Sequence, residues 1–476
     1  MILDRKSTNP KQKIRTNLPD WSALIPILPA AGKRTPALYR ELRRLIEAGD
    51  IAPGSKLPPS RDLAARLSAS RGSVVAAFEM LIAEGYAVAR PGAGTFVAER
   101  VPRPRQAEAA DTESTMPTMP LPGTLGVAAA DQRTLALFRT LLSRHLARPG
   151  PEHFQYGDPQ GGLVLRQAIA TYLRQARGVR CMARQIVVTS GTQQGLDLVV
   201  RAALSPGDAM LVEDPCYSSA RAAFEGAGLR VSGLAVDGEG ADIALAAAPA
   251  RAVYVTPSHQ FPLGVTMSMR RRLALIDWAR ETGGWIIEDD YDSEFRYAGP
   301  PLTAMQGMDD SGRVVYLGTF SKVLFPGLRL GYAVLPDALV EPVVALRIRT
   351  DRSPPTLAEA ALADLLSEGH FAAHLRRARR RLQAARDGLA AGLSASPDLA
   401  VTVPDQGLHL VAGLPEDLPD TDAVALARSV GLGARALSAM AVSGPARQGL
   451  VIGFSGFAPE VLRSAAERFA ARVDAR

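Results

Sequence analysis

Between Ala98 and Leu125 runs AERVPRPRQAEAADTESTMPTMPLPGTL, a stretch dense in Pro, Ser, Thr, Glu and Ala and without apolar periodicity. That is the composition of an extended or flexible connector. No helix or strand can carry a buried face across it, so the chain must build two separate cores. We read residues 1–98 as one domain, 99–127 as a flexible linker and 128–476 as a second domain. At 47% hydrophobic and 22% charged residues, both parts can bury a core, which excludes disorder over most of the length.

Charge separates the same two parts. Residues 1–105 hold 18 Lys and Arg against 9 Asp and Glu, whereas the remainder holds 37 against 39. A small basic domain before a nearly neutral one suits a polyanion reader, although surplus arginine can also serve solubility alone. No run reaches the roughly 18 apolar residues of a membrane span, so no membrane association is expected. The start, MILDRKSTNPKQK, has no apolar segment behind it and predicts no secretory signal. Two cysteines, Cys181 and Cys216, cannot frame a disulfide scaffold and fit a reducing compartment; the expected location is the cytoplasm.

In the front domain, Leu38, Leu42, Leu45 and Ile46 follow a helical spacing that stops at Gly49-Asp50. Ser60 is positioned to cap a short helix with Leu63, Ala64 and Leu67 inward. Ser70 can cap a third, with Val74, Ala77, Phe78, Leu81 and Ile82 on its core side. YAVARPGAGTFVAE then reads as two strands around a Gly-rich turn. Three short helices and a hairpin make a winged helix-turn-helix pattern. The run from LYRELRRLIEAGD to RPGAGTFV resembles a GntR-type DNA-binding domain. The resemblance implies double-stranded operator DNA as partner, gripped by Ser60 and Arg61, by Ser70, Arg71, Gly72 and Ser73, and by Pro91, Gly92 and Gly94 of the wing. Arginine can pair bidentately with guanine or phosphate, and serine hydroxyls at helix starts suit phosphates. Both serines can cap and bind together. Val75 stands where some relatives carry another basic contact, so base specificity does not transfer.

In the second domain, helical segments alternate with QIVVTSG, AMLVEDP, ARAVYVTPS, GWIIEDD and RVVYLGTFS, an α/β pattern with a mostly parallel sheet. Each run ends in polar residues, where open α/β sheets collect ligands. The chain has six lysines against 49 arginines, and Lys322 is the only lysine after residue 56. Arginine serves wherever a plain positive charge suffices, so an isolated lysine hints at amine chemistry. Gly191-Thr192 at a helix start, Thr319, Ser321 and Arg329 can receive a phosphate. Asp289 can hold a pyridine nitrogen protonated and Tyr291 can donate to a ring oxygen. Phosphate, pyridinium and lysine together describe pyridoxal 5′-phosphate. We expect no metal.

TSGTQQGLDL, EDPCY, PSHQFPLG, IIEDDYDSEFRY and GTFSKVLFPGLRLGY are similar to fold-type I aminotransferases. Behind a GntR-type domain they resemble the MocR/GabR-like transcription regulators. That resemblance implies a type I aminotransferase fold with a smaller C-terminal subdomain, and a head-to-tail, domain-swapped homodimer. It implies Lys322 as the Schiff-base lysine, Asp289 on the pyridine nitrogen and Tyr291 on the ring hydroxyl. Gly191, Thr192, Thr319, Ser321 and Arg329 would surround the phosphate, Tyr217 would lie against the ring, Tyr156 would reach a partner's phosphate, and His259 would support the ring oxygen. Asp290, Asp292 and Glu294 read as ion-pair or turn carboxylates, and RRARRR at 376–381 as a solvated helix face.

The sequence departs from the pattern at Val451, in LVIGFSG, where many aminotransferases place the arginine that clamps a substrate carboxylate; Arg447 and Arg435 are nearby alternatives. Three functions stay open. The first is a DNA-binding transcription regulator that senses a primary amine or amino acid without physiological turnover. The second is an aminotransferase with a DNA-binding appendage, and the third a DNA-binding protein whose large domain only dimerises. The intact Lys322, Asp289 and Tyr291 speak against the third, the front domain and Val451 against the second.

Overall fold

The computed structural model describes residues 34–101, 119–147, 150, 155–300 and 302–476. Most of the stretch read as a linker lies outside them. The chain divides into two compact units, Met1–Pro117 and Thr118–Arg476.

In the first unit, helices α1 (Arg34–Glu47), α2 (Ser60–Arg66) and α3 (Arg71–Ala83) precede an antiparallel hairpin of β1 (Ala87–Arg90) and β2 (Gly94–Val97). Leu38, Leu42, Leu45 and Ile46 of α1 meet Leu63 and Ala64 of α2 and Val74, Ala77, Phe78 and Leu81 of α3 in one core. The Tyr86 phenol donates to Glu47 at 2.6 Å, which ties the hairpin to α1. One expectation is corrected here. Ser60 is the first residue of α2 rather than its cap; Pro59 holds the capping position and offers no side-chain acceptor. Ser70 does cap α3, accepting from the Ser73 amide at 3.1 Å.

The second unit is built on an eight-stranded sheet of β3 (Ile186–Thr189), β4 (Ala209–Asp214), β5 (Arg230–Asp237), β6 (Gly240–Ala241), β7 (Ala252–Val255), β8 (Trp285–Asp290), β9 (Val314–Thr319) and β10 (Gly331–Val334), in the order β3-β10-β9-β8-β7-β4-β5-β6. β9, β8, β7, β4 and β5 run parallel, and β10 is antiparallel to both neighbours. Alternate residues face opposite layers. Tyr254, Ile287 and Val315 pack toward helices 192–203, 218–226 and 337–350, while Val253, Val255, Ile286 and Val314 pack toward helix 269–282. This period of two, buried on both sides, is why the strands read as continuous apolar runs.

A smaller antiparallel sheet of β11 (Ala400–Val401), β12 (His409–Gly413), β13 (Arg435–Ala436) and β14 (Leu450–Gly453), in the order β11-β12-β14-β13, packs with helices His370–Leu393 and Pro459–Asp474. Two further expectations change. The end of the proposed linker is packed on this subdomain: Gly433 donates to Pro122 O, Gly453 to Gly123 O and Ser455 to Val127 O. Hydrogen bonding to the backbone of this kind leaves no mark in residue composition. The 376–381 run is not a merely solvated face. Arg377 pairs with Asp131 at 2.9 Å, Arg379 donates to Glu294 O and Arg381 to Ala129 O, so its arginines clamp neighbouring segments.

Candidate functional site

In the first unit the starts of α2 and α3 lie side by side, with Arg71 Nε 3.4 Å from Ser60 Oγ. Arg61, Ser70, Arg71 and Gly72 are exposed, and Ser73 is half-buried behind the Ser70 cap. At the hairpin tip Pro91, Gly92 and Gly94 are exposed, with φ of +71° at Gly92 and +112° at Gly94, conformations that L side chains rarely take. Lys56 and Arg90 both set their charges over the Phe96 ring, 5.8 and 4.6 Å from its centroid, which adds two cations to the hairpin. The sequence reading had not singled out either.

In the second unit the carboxyl ends of β3, β4, β7, β8 and β9 open onto one cavity of about 230 Å³. Nine of the expected residues line it together: Gly191, Thr192, Tyr217, Asp289, Tyr291, Thr319, Ser321, Lys322 and Arg329. At one end, Gly191 (φ +95°, ψ 171°) turns the chain from β3 into the helix Thr192–Ala203, aiming the helix start into the cavity. The Arg329 guanidinium packs against this turn: a Cβ on Gly191 would lie 3.6 Å from Nη1. Arg329 itself adopts φ +50°. The Ser321 amide donates to Thr319 Oγ1 at 3.1 Å, and the buried Ser321 Oγ has no partner among the described residues. A helix start, hydroxyls and a guanidinium form a receptor for an anion.

At the other end, Asp289 is buried and accepts a hydrogen bond from the Tyr254 phenol at 2.8 Å, while its Oδ1 has no partner among the described residues. Burial pushes its carboxyl up to about 7, against the lowering effect of the Tyr254 bond. Lys322 lies in the same cavity. Burial lowers its ammonium pKa, and Asp292 and Asp289 only partly restore it, so more of the amine is neutral than in water. Tyr217 lines the wall, edge-on to Phe261 with centroids 5.7 Å apart.

Two expected residues stand elsewhere. His259 is 1% exposed and does not line the cavity; it sits behind Tyr291, whose hydroxyl lies 3.0 Å from His259 Nδ1 and donates to its carbonyl oxygen. The same Nδ1 is 2.9 Å from Asp292 Oδ2. Packing against neighbouring loops turned this ring away from the ligand space. Tyr156 is outside the cavity, 76% exposed, with the Arg352 guanidinium 4.7 Å above its ring. The neighbouring carboxylates behave as structural groups. Asp290 pairs with Arg177 at 2.8 Å, both nearly inaccessible, and Glu294 accepts from Tyr172. Arg447 is turned away to the Val236 carbonyl.

The sequence reading missed Tyr254, Thr256, Phe261, Leu408, His409, Leu125 and Gly126 as lining residues. A phenol inside the apolar run VYV was a usable signal; Leu125 and Gly126 carried none. His409 donates to Pro262 O at 2.9 Å, and burial pushes its imidazole down to about 3, so it is neutral at physiological pH. His259, Asp292 and His409 bring ligand-type atoms within 4.8 Å of one another, but Asp292 already engages His259 and His409 the Pro262 carbonyl. Asp292–His259 and His409–Pro262 are separate hydrogen-bonded pairs, and of the three side chains only His409 lines the cavity.

The profile of the family described as aminotransferase class I and II matches residues 128–468, and that of bacterial regulatory proteins, gntR family, matches residues 35–97. The chain is 36% identical over 448 residues to the probable rhizopine catabolism regulatory protein MocR of Rhizobium meliloti, covering 90% of this chain and 91% of that one. It is 34% identical to the pyridoxine biosynthesis transcriptional regulator PdxR of Corynebacterium glutamicum, over 90% and 93% of the two chains. Among solved structures, the Pyrococcus horikoshii kynurenine aminotransferase superposes with a TM-score of 0.69 at 25% identity, covering 75% of this chain and 92% of that one. No helix among the described residues is long and apolar enough to cross a membrane.

Proposed function

This chain belongs to the MocR type of transcription regulators, a gntR-family DNA-binding domain joined to an aminotransferase class I and II domain, and from that premise we propose that it senses a small primary amine or amino acid on pyridoxal 5′-phosphate and alters its hold on operator DNA in response. One observation carries the reading. A half-buried lysine with a depressed pKa and a buried carboxylate with an unpartnered oxygen share one cavity with an anion receptor. The residues present fit the cofactor. Asp289 Oδ1 would accept from the ring nitrogen, Tyr291 would face the ring hydroxyl, and Tyr217 would lie along the ring. Thr192, Thr319, Ser321 and Arg329 would hold the phosphate.

Pyridoxal phosphate supplies an electrophilic carbonyl that captures primary amines reversibly. Lys322 would supply the resident amine on that group, and its burial, which favours the neutral form, suits it to act as a nucleophile. Asp292 and His259 hold the Tyr291 hydroxyl in place from behind. A ligand shifts the DNA-binding equilibrium only as far as its contacts differ between the two states. Contacts between the rest of the ligand and this chain's own side chains would supply that difference. The exposed Arg61, Ser70 and Arg71 and the wing supply the DNA contacts. Tyr156, outside its own cavity and exposed, suits a contact with a second copy of the chain in a head-to-tail dimer, and the location that fits a DNA-bound regulator is the cytoplasm.

The test is the visible absorption spectrum of purified protein, titrated with primary amines and repeated with operator DNA. The reading expects a cofactor band that is absent in Lys322→Ala and shifts with one class of amine, and a parallel change in DNA affinity. Keto product accumulating over many turnovers would overturn it in favour of an enzyme.

A further inference from the structure

The hairpin of the first unit is flanked by a third extended segment, in the loop between α1 and α2. There the Leu57 amide donates to Thr95 O and the Val97 amide to Ser55 O, both at 2.8 Å, which sets Lys56 directly across from Phe96. On the other side of β2, Val88 stands across from Phe96 and Arg90 across from Gly94. Residues paired directly across neighbouring strands share a face, as do residues two apart on one strand. Lys56, Val88, Arg90, Gly94 and Phe96 therefore occupy one face of the ribbon. The other face carries Ser55, Leu57, Ala87 and Val97, all buried.

The solvent face is a pair of cations around an aromatic centre. Lys56 and Arg90 hold their charges 5.8 and 4.6 Å from the Phe96 centroid, and both are exposed. Lys56 has no hydrogen bond or ion pair with any described residue. Arg90 meets only the exposed Glu99, at 3.7 Å, a contact that solvent screens. Gly94 keeps the space clear, since a Cβ there would lie 3.0 Å from Lys56 Cε. Lys56 is also the only lysine among the described residues of this unit, in a chain that otherwise prefers arginine. Two like charges drawn to one ring repel each other until an anion comes between or beside them.

We propose that Lys56 and Arg90, held over Phe96, grip the phosphate backbone of duplex DNA. The contact surface then runs from the wing tip down the side of the ribbon to the loop before α2. This rests on the DNA-binding reading above and adds to it a contact that carries no sequence information. An ammonium is a compact point charge, suited to phosphate oxygens rather than to a base edge. The ring holds both side chains by cation–π attraction, so less of their freedom is lost on binding.

The test uses the full-length protein and a fluorescein-labelled DNA duplex of random sequence, titrated by anisotropy at salt concentrations from roughly 50 to 200 mM. Lys56→Gln and Arg90→Gln should each weaken binding by about 3- to 10-fold and reduce the slope of log affinity against log salt by about one. Lys56→Arg keeps the charge and should keep the wild-type slope. Phe96→Leu frees both cations without removing either, so binding should weaken while most of the slope remains. Glutamine variants with the wild-type slope would show that the two cations only brace the hairpin, which overturns the inference and leaves DNA binding intact. A slope lowered as much in Lys56→Arg or Phe96→Leu as in the glutamine variants also overturns it, by assigning the loss to the shape of the hairpin. If the wild type fails to bind the duplex at the lowest salt, the DNA-binding reading falls first and this inference with it.

Discussion

The Tyr254 phenol donates to Oδ2 of Asp289 at 2.8 Å, while Oδ1 of the same carboxylate, equally buried, has no partner among the described residues. Half of the carboxylate is satisfied by the sheet and half is held ready for a cationic ligand. Such an arrangement destabilises the empty protein, and that cost can be measured.

Asp289 sits near 7 in the folded protein because it is buried, against an ordinary aspartate value near 4. Between those values the folded protein keeps a proton that the unfolded chain has released, so stability falls as pH rises through the window. Cofactor-free Asp289→Asn should therefore be more stable than cofactor-free wild type by a few kcal/mol at pH 8 and hardly at all near pH 4. Urea unfolding at the two pH values checks this. An equal gain at both would show that the carboxylate is not the cause.

The two serines at the starts of α2 and α3 should separate cleanly. Ser70→Ala removes the cap of α3 and should cost about 1 kcal/mol of stability in the first unit. Ser60→Ala removes no cap and should leave stability within about 0.5 kcal/mol. If both hydroxyls reach phosphates, both variants lose operator affinity in electrophoretic or fluorescence titrations. Ser60→Ala with wild-type DNA affinity would exclude it from the interface.

Arg71→Ala should weaken specific operator binding by roughly 1–3 kcal/mol if it reads a base edge, with a smaller effect on random-sequence DNA. Equal loss on both DNAs would assign it to phosphate instead.

Arg177 and Asp290 form an ion pair at 2.8 Å, with Arg177 also donating to Ser258 Oγ and Leu302 O, and Tyr316 to Asp290. Arg177→Met leaves Asp290 charged and buried and should cost about 3–5 kcal/mol. Adding Asp290→Asn should recover a large part. Denaturant unfolding of the three variants measures both, and a single-variant loss under 1 kcal/mol would show that water reaches the pair.

Much of this protein is determined locally, and that part is legible in the sequence. The front helices follow from apolar residues three and four apart and from a serine cap at Ser70. The strands follow from short β-branched runs, and the polar residue after each run marks where ligand-binding groups gather. Lys322 stands out through the rarity of lysine elsewhere. What tertiary structure decided is which side chains meet across long separations. Tyr254 reaches Asp289 only because β7 and β8 pair in one register. His259 falls behind Tyr291, and Leu125 and Gly126 join the wall, through contacts hundreds of residues apart in some cases. Arg435 reaches the cavity on the same face of the small sheet as Val451, its partner across β13 and β14, which packs with Leu125 and Phe261 of the cavity wall. Periodicity encodes which face of an element is buried, but not which element will lie against it; that depends on the summed packing of the whole fold.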